Sequence, residues 1–489
     1  MMQNIWSITG RSIAVSSLAL ALAACQSMRG PEPVVKSDIP TDFSVQHSTG
    51  KSIAEQGYKD FFSSPQLVQV IDLALKNNRD MRTAILNIQK AEAQYNITEN
   101  NRLPTLGSSV GFDRARSKSA LTGQPVTGNV YSAGLAVTSY ELDFWGRLES
   151  LKDAALDNYL SLQSTRDATQ ISLISQVAEA WLQYSYSNAN LKLAEDTLKT
   201  QIQAYNLNKK RFDVGIDSEV PLRQAQISVE TARADVGNYR TQVAQAQNAL
   251  NLLVGQSVPT DLLPSNTIRS ITNEKVFATG LSSDLLNNRP DIQQSAYTLS
   301  AAGANIGAAK AQLFPTISLT SSAGFGSSEL SDLFKSGSFV WSVAPSLNLP
   351  IFDWGTRKAN VKISKVNQEI ALTSYEKTIQ TAFKEVSDAL ATRANIDERL
   401  DAQRDLVSAT NRTYQLSTAR YRAGIDGYLT VLTAQKDAYT AEQSLLGLEL
   451  TNLNNQIELY KTLGGGVKVY NTDQVYHQPS SSETEYSKK

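Results

Sequence analysis

The chain has 489 residues, 41% of them hydrophobic and 19% charged, and its 46 Lys and Arg nearly balance its 47 Asp and Glu. This balance argues against a nucleic-acid-binding protein, which would usually carry a basic excess. One Cys excludes internal disulfides and a Cys-cluster metal site. Two His leave little material for a His-based metal site or a Ser-His-Asp triad. We therefore expect neither an enzyme nor a bound cofactor or metal.

The N-terminal sequence predicts a secretory signal peptide over residues 1–24. Arg11 precedes an apolar run at 13–24, which is too short for a transmembrane helix and typical of a signal sequence. The run ends in Leu-Ala-Ala-Cys, which resembles a bacterial lipobox. We expect lipid attachment at Cys25 and a lipidated N-terminal segment over 25–64. The alternative is an ordinary Ala-rich cleavage site followed by a chance Cys.

Self-comparison indicates that the chain contains two copies of one unit, related by an offset of 209 residues. Residues 211–217 match 420–426, and the Trp-Gly pair at 145–146 matches the pair at 354–355. The landmarks recur in the same order, so chance similarity is a poor explanation. The predicted organisation is a first structural repeat at 65–255, a linker at 256–281, a second structural repeat at 282–465 and a polar C-terminal tail at 466–489.

Each repeat holds one long stretch without Pro or Gly, at 147–214 and at 356–423. Apolar residues recur there at spacings of three and four, which is typical of amphipathic helices. At 1.5 Å per residue, each helix would be roughly 100 Å long. A globular core does not need helices of that length, whereas a hollow helical tube does. In each repeat a Gly and an Asp follow, and then another helical segment.

Stretches rich in Ser, Thr and Gly precede the long helices, at about 104–142 and 315–351. Apolar side chains alternate there with small or polar ones, which is the pattern of transmembrane β-strands. We expect two strands in each stretch. The alternative is a soluble hairpin inserted in a helical protein. The candidate membrane-interface aromatic residues are Phe112, Tyr131, Phe339 and Trp341.

Four strands are too few to close a membrane pore, because single-chain barrels begin at about eight strands. An open sheet edge cannot face lipid, since its backbone groups would lack hydrogen-bond partners. We therefore expect the chain to share its barrel with other copies. Three chains with four strands each would give a barrel of twelve.

With these features, the sequence resembles the TolC-type outer-membrane factors, and in particular the lipoprotein branch that serves resistance-nodulation-division efflux pumps. The resemblance covers nearly the whole mature chain. It rests on the duplication and on six local motifs: the lipobox at Cys25, the turns at 141–146 and 352–355, the Leu-Phe-Pro-Thr sequence at 313–316, and the Arg-x₃-Gly motifs at 211–215 and 420–424.

The resemblance implies a mixed α+β membrane protein. Its transmembrane β-barrel would be shared among three chains, with four strands from each, and would continue into a long periplasmic α-helical barrel. The protein would be a homotrimer in outer-membrane lipid, anchored at Cys25 and extending into the periplasm. Its partners would be a periplasmic adaptor (membrane fusion) protein and an inner-membrane resistance-nodulation-division pump.

The chain must reverse direction after each long helix. Gly215 and Gly424 suit the left-handed position after a helix C-terminus. Asp217 or Ser218, and Asp426, are expected to cap the helix that follows. By the resemblance, these turns form the closed periplasmic end and the adaptor-docking surface. The residues assigned to that docking tip are Arg211, Gly215, Asp217, Arg420, Gly424 and Asp426.

The resemblance also places a periplasmic gate on the helix after Gly424, lined by Leu429, Thr430 and Thr433. Many family members carry a carboxylate where this chain has Thr433. We therefore expect an apolar gate built on Leu429, which would close by excluding water.

The predicted function is that of a passive exit channel in a tripartite multidrug efflux system. One alternative is a type I secretion conduit, which is similar in fold but passes polypeptides. The other is a periplasmic coiled-coil scaffold lipoprotein without a pore, in which the Ser/Thr/Gly-rich stretches would be soluble hairpins.

Overall fold

The computed structural model describes residues 28–35, 39–40, 57–118, 123–265, 270–272 and 289–465. The predicted signal peptide, Cys25 and the polar tail lie outside the described residues. The described elements, in chain order, are α1 (Tyr58–Phe61), α2 (Pro65–Asn77), α3 (Arg79–Asn100), β1 (Leu106–Lys118), β2 (Pro125–Glu141), α4 (Arg147–Asp213), α5 (Glu219–Val254), α6 (Pro290–Ala311), β3 (Thr316–Ser327), β4 (Phe339–Asn348), α7 (Thr356–Arg422) and α8 (Tyr428–Thr462).

The predicted long helices are present and equal in length. Helices α4 and α7 each have 67 residues, and α5 and α8, which follow them, have 36 and 35. A 67-residue helix is about 100 Å long. The apolar spacing that predicted α4 marks its buried side, since Ile171, Ile174, Ala178 and Trp181 are all at most 4% exposed.

The same order of elements occurs twice, which confirms the mixed α+β fold and the internal duplication. In each half a 22-residue helix, α3 or α6, leads into two strands, and a 67-residue helix and a shorter one follow. By its contacts the chain divides into two compact units. The first combines Met1–Lys36, Asn87–Gln163 and Gln294–Glu376, and the second combines Ser37–Leu86, Ser164–Gln293 and Lys377–Lys489.

The first unit contains a four-stranded antiparallel sheet in the order β1-β2-β3-β4. Both strand pairs predicted from alternation are therefore present. A bulge between Val137 and Tyr140 shifts the register of β2 against β3. Strands β1 and β4 form the two edges, and neither has a further strand beside it in the described chain.

A tryptophan joins the strands to the long helix in the first unit. Trp145 lies in the turn between β2 and α4, and its ring stacks on Phe314 with centroids 4.7 Å apart. Its indole Nε1 donates a hydrogen bond to the carbonyl of Pro315 at 2.7 Å. Asp143 accepts bonds from the amides of Arg147 and Glu149, at 2.6 and 2.9 Å, and so caps the start of α4. This turn therefore contacts the connection between α6 and β3.

The second unit has a conventional apolar core, to which α2 contributes Leu67, Val70 and Ile71. Arg289 is 8% exposed, and its guanidinium lies 2.7 Å from both Asp291 and Glu385. A charge buried to that extent must be paired, because desolvation would otherwise disfavour it. This cluster fixes the start of α6 against α7.

The end of α5 requires glycine. Gly255 has a φ of 77°, and a Cβ built on it would lie 2.6 Å from the backbone carbonyl oxygen of Asn77. Its amide donates to the carbonyl of Asn251 at 2.9 Å, which closes the helix. Asn78, just after α2, donates its side-chain amide to the carbonyl of Leu253 at 2.8 Å.

We predict that Gly255→Ala lowers the free energy of unfolding by more than about 1–2 kcal/mol, because the left-handed backbone and the backbone contact both oppose a side chain. The matched control is Gly237→Ala in the exposed interior of α5, where a Cβ meets nothing within 4 Å. There the substitution is expected to stabilise by about 0.5–1 kcal/mol. Thermal unfolding of the purified variants in detergent measures both. Equal melting temperatures for the two would contradict the assignment.

Candidate functional site

One face of the sheet is apolar and exposed. Leu135, Ala323 and Trp341 are cross-strand neighbours, so they share this face, and Trp341 is 71% exposed. The register confirms the predicted alternation in all four strands. The large apolar residues that are more than half exposed on this face are Leu106, Val110, Phe112, Leu135, Phe339, Trp341, Val343 and Leu347.

The opposite face carries mostly small and polar side chains, with the exposed valines Val126, Val130 and Val340 among them. Ser318 is hydrogen-bonded to Ser346, and Ser322 to Ser342, each at 2.8 Å between hydroxyl oxygens. A Cβ at Gly134 would lie 2.8 Å from the carbonyl oxygen of Ala323, so the two strands approach closely there. The sheet therefore separates an apolar surface from a mainly polar surface, and in the described part of the chain every residue of β1 and β4 is exposed.

The four candidate interface aromatics all lie on the apolar face. The rings of Phe112 and Tyr131 are 4.7 Å apart on neighbouring strands, and Phe339 contacts Phe325 at 5.9 Å between centroids. Aromatic pairs at these distances stabilise the cross-strand packing. Their position at a membrane interface stays a prediction.

The two helical tips have one geometry. Gly215 and Gly424 have φ values of 75° and 74°, the left-handed conformation expected of them. The amide of Ile216 donates to the carbonyl of Arg211 at 2.9 Å, and that of Ile425 donates to Arg420 at 3.0 Å. A bond that reaches back five residues is the Schellman end of a helix, which needs this glycine.

Of the residues expected to cap the next helices, Ser218 occupies the capping position of α5, whereas Asp217 and Asp426 do not cap. Gly427 occupies the capping position of α8, and neither Ser218 nor Gly427 makes a side-chain capping bond. Instead, each carboxylate accepts from the guanidinium of its own tip. Arg211 Nε lies 2.6 Å from Asp217, and Arg420 Nε lies 2.6 Å from Asp426. The carboxylates bond to the arginines rather than to the backbone at the helix start, because a charged donor forms a stronger hydrogen bond than a backbone N–H.

These ion pairs lower the pKa of both carboxyl groups below the usual value. The first cause is the guanidinium hydrogen bond, from Arg211 to Asp217 and from Arg420 to Asp426. A lowered folded-state pKa contributes stability that is complete above the unfolded pKa of about 3.9. That contribution is lost as the pH falls through the folded value. At neutral pH, each tip turn is therefore held by an ion pair between its Arg and its Asp.

Tyr421 connects the tip of the second repeat to that of the first. It is 5% exposed, and its hydroxyl lies 2.6 Å from Asn208 Oδ1 and 3.1 Å from Asp217 Oδ2. The guanidinium carbon of Arg211 is 5.1 Å from the centre of its ring. Burial, and then the bond to Asp217, raise the pKa of Tyr421 to about 12. The hydroxyl is therefore a neutral donor at physiological pH.

An aromatic cluster surrounds this connection. Tyr421 packs with Ala225, Tyr428 and Val431, all buried. The buried hydroxyl of Tyr428 has no hydrogen-bond partner. Tyr421 and Asn208 were not singled out from the sequence. For the Arg–Asp pairs, by contrast, the sequence did contain a signal. Arg and Asp recur six residues apart at both tips, which indicates an ion pair rather than a helix cap.

The three predicted gate residues lie together on the exposed side of α8. Leu429 is 62% exposed, and Thr430 and Thr433 are also exposed. Tyr428 and Val431, on the other side of the same helix, belong to the aromatic cluster and are buried. Thr433 Oγ1 donates to the carbonyl of Leu429 at 3.1 Å, so its hydroxyl is held along the helix. The apolar side chain of Leu429 is left facing outward.

In the described part of the chain, no helix is long and apolar enough to cross a membrane. No group of His, Cys, Asp and Glu in those residues is arranged to hold a metal ion.

A four-stranded sheet with an apolar exposed face, in one chain with two helices of about 100 Å, is typical of outer-membrane channel proteins of the mixed strand-and-helix class. The sequence profile of the outer membrane efflux proteins matches residues 70–256 and 281–465. The chain belongs to this family, and it is an outer-membrane efflux channel.

Two relatives and one solved structure illustrate the similarity. The antibiotic efflux pump outer membrane protein ArpC of Pseudomonas putida is 41% identical over 466 residues, covering 94% of this chain and 96% of the relative. The probable outer membrane lipoprotein SilC of Salmonella typhimurium is 35% identical, covering 92% and 97%. The open state of the Neisseria gonorrhoeae MtrE outer membrane channel superposes with a TM-score of 0.82 at 37% identity, covering 91% and 99%.

We predict that Tyr421→Phe lowers the free energy of unfolding by about 1–3 kcal/mol, because it leaves buried Asn208 Oδ1 without its donor. Tyr428→Phe is the matched control from the same cluster. It removes a buried hydroxyl that lacks a partner, so it is expected to be neutral or stabilising. Thermal unfolding, with hydrogen exchange of the tip amides, measures both changes. Equal destabilisation by the two variants would show that ring packing, not the hydroxyl, connects the repeats.

Proposed function

We propose that three copies of this chain form the exit channel of a tripartite multidrug efflux system. The observation that carries the proposal is the four-stranded sheet with two open edges and one exposed apolar face. The apolar face suits lipid, and the small polar face suits a water-filled lumen. Neither edge can remain open in lipid, because each unpaired backbone group costs several kcal/mol there.

The number of chains follows from the strand count. Two copies would give eight strands, which close only a barrel filled by side chains or one small ligand. Three copies give twelve strands and leave room for a conducting lumen. Long helices from each chain would then continue the barrel into the periplasm as a tube. Substrates would pass through without binding at any fixed chemical site.

The tips are the proposed docking surface for a periplasmic adaptor, which would connect the channel to an inner-membrane resistance-nodulation-division pump. Each tip exposes apolar side chains beside its Arg–Asp pair, namely Val214 and Ile216 in the first and Ile425 in the second, all more than 60% exposed. Exposed apolar residues at a rigid turn are typical of interaction sites. The ion pairs hold the turns in one conformation for docking.

The substrate class is proposed from the relatives, whose names describe antibiotic, toluene and solvent efflux. The channel would pass compounds of that kind after the pump has selected them. Two observations weigh against the alternatives. A soluble hairpin would cover its apolar face, whereas this one is exposed. The relatives named here are efflux proteins rather than polypeptide secretion conduits.

A planar-bilayer recording of the purified protein tests the proposal. The expected result is a set of uniform conductance steps, small at rest because the tip is closed. A protein that associates with the bilayer but never conducts, even with opened tips, would support a scaffold without a pore.

The two faces of the sheet are expected to differ in their tolerance of charge. Leu135→Arg and Val343→Arg place a cation on the lipid side, where it costs about 2–4 kcal/mol near mid-membrane. Ser342→Arg is the control, because Ser342 lies on the small polar face beside Ser322. The measurement is the yield of heat-resistant trimer. Equal yields for all three variants would show that the apolar face of the sheet is not the one turned towards lipid.

The proposed gate is an apolar ring of three Leu429 side chains, one from each chain, supported by Thr430 and Thr433. A dry constriction blocks ions without binding them. Leu429→Ala is expected to raise conductance, and Leu429→Asp is expected to raise it more, because three like charges repel one another at short range. Cells that carry either variant should admit large antibiotics.

Two variants control this prediction. Val220→Asp alters the exposed residue at the corresponding position after the first tip, and it is expected to open the channel less than Leu429→Asp. Thr433→Ala keeps the apolar ring and should leave conductance low. If Thr433→Ala opens the channel while the Leu429 variants conduct like the parent, the constriction lies one turn further along α8.

Lipid at Cys25 is proposed as a secondary anchor, since the strands would bury far more apolar area than the acyl chains. We expect Cys25→Ser, exported with a cleavable signal peptide, to lose its lipid and still assemble in the outer membrane. Mass spectrometry of the N-terminal peptide and membrane fractionation measure the two effects. Recovery of soluble periplasmic monomer alone would contradict a secondary role.

A further inference from the structure

One turn of the first unit exposes an unusually apolar surface. Trp354, between β4 and α7, is 90% exposed, and its neighbours Ile351 and Phe352 are 92% and 73% exposed. The φ of Trp354 is 55°, a left-handed conformation that a bulky side chain rarely adopts. Its ring meets that of Phe352 edge to face at 4.7 Å. The turn is therefore apolar and strained, and no described residue of its own chain covers Trp354.

The internal duplication shows what covers the same tryptophan in the first repeat. Trp145-Gly146 directly precedes α4, just as Trp354-Gly355 directly precedes α7, and both helices have 67 residues. Trp145 is partly buried because it stacks on Phe314 and donates its indole N–H to the Pro315 carbonyl. The surface that receives it is the connection between α6 and β3.

That receiving surface also occurs twice. Helices α3 and α6 have 22 residues each, and their ends at Asn100 and Ala311 are 211 residues apart. At the same offset, Leu103-Pro104 corresponds to Phe314-Pro315. Leu103 is 63% exposed, and Pro104 is exposed as well. The chain therefore has one occupied tryptophan joint, plus a free tryptophan and a free receiving surface of the same design.

The strand order explains why the two free halves do not meet within one chain. Trp145 reaches its partner because β2 and β3 are neighbours. Trp354 follows β4, whereas Leu103-Pro104 precedes β1, and these strands are opposite edges of the sheet. The free halves become neighbours only when β4 of one chain pairs with β1 of the next.

We propose that Trp354 of each chain packs on Leu103 of the neighbouring copy and donates its indole N–H to the carbonyl of Pro104 in that copy. This joint between chains would repeat the Trp145 joint within the chain. It rests on the proposed trimer, in which three joints of each kind would alternate around the channel below the strands. It assigns the exposed Trp354 turn to assembly rather than to contact with lipid or with the adaptor.

Cysteine cross-linking between two differently tagged chains tests this joint. One chain carries Trp354→Cys and the other carries Leu103→Cys, and a short bismaleimide is added to the co-expressed, purified protein. The expected product is a covalent dimer that carries both tags. The control replaces Leu103→Cys with Leu86→Cys, an exposed position on α3 that is 17 residues earlier in the chain and should give no dimer.

A second measurement covers the case in which the cysteine variants assemble poorly. Trp354→Ala should lose the heat-resistant trimer at a temperature at which the parent retains it, whereas Trp354→Phe should retain it in part. Trp354→Ala trimers as heat-resistant as the parent would overturn the proposal. So would intact trimers that give no mixed dimer. If the parent itself forms no trimer, the proposed function fails instead, and native gels of the unmodified protein distinguish that result.

Discussion

The hydrogen-bonding demand of backbone groups at the two open edges of the sheet is the constraint on which the rest of the structure depends. In water, β1 and β4 would be solvated and the apolar face would be a liability for aggregation. In lipid, the same face is stabilised and the same edges become untenable. A sheet of this kind is stable only as part of a closed ring. The family to which the chain belongs places it in the outer membrane, where such a ring is the accepted solution for strands.

Because of the duplication, the helical tips and the tryptophan turns each occur twice. The two copies differ in sequence or in surroundings, and therefore in the contacts that they make. Phe212 stands in the first tip where Tyr421 stands in the second, and Ser417 stands where Asn208 stands. The hydrogen bond therefore runs only from Tyr421 in the second repeat to Asn208 in the first, because Phe212 has no hydroxyl with which to form the reverse bond. Likewise, the tryptophan joint is complete within the chain after β2 but lacks its partner after β4. The first copy of the tryptophan contact is thus completed within the chain, and the second is the one that we propose for assembly.

Much of the fold could be predicted because its patterns are long and simple. Period-two alternation at 131–137 and 339–351 indicated the exposed apolar face. Stretches free of Pro and Gly indicated α4 and α7 to within one residue of their ends. The left-handed glycines could be placed because few other residues adopt that conformation. Local chemistry was harder to predict, since Asp217 had two reasonable partners in the sequence, a helix start and Arg211. Only the folded tip shows that Asp217 bonds to the guanidinium of Arg211 and not to the start of the next helix. Tyr421 and Asn208 are 213 residues apart in the chain, and no local pattern relates them.

In the proposed assembly, one chain supplies one third of a closed barrel. Native mass spectrometry of the purified protein, released from detergent, measures this most directly. We predict a single assembly with the mass of three mature chains and no stable monomer. A stable monomer, or an assembly of two or four chains as the main species, would contradict it, because the strand count and the lumen would then differ from those proposed.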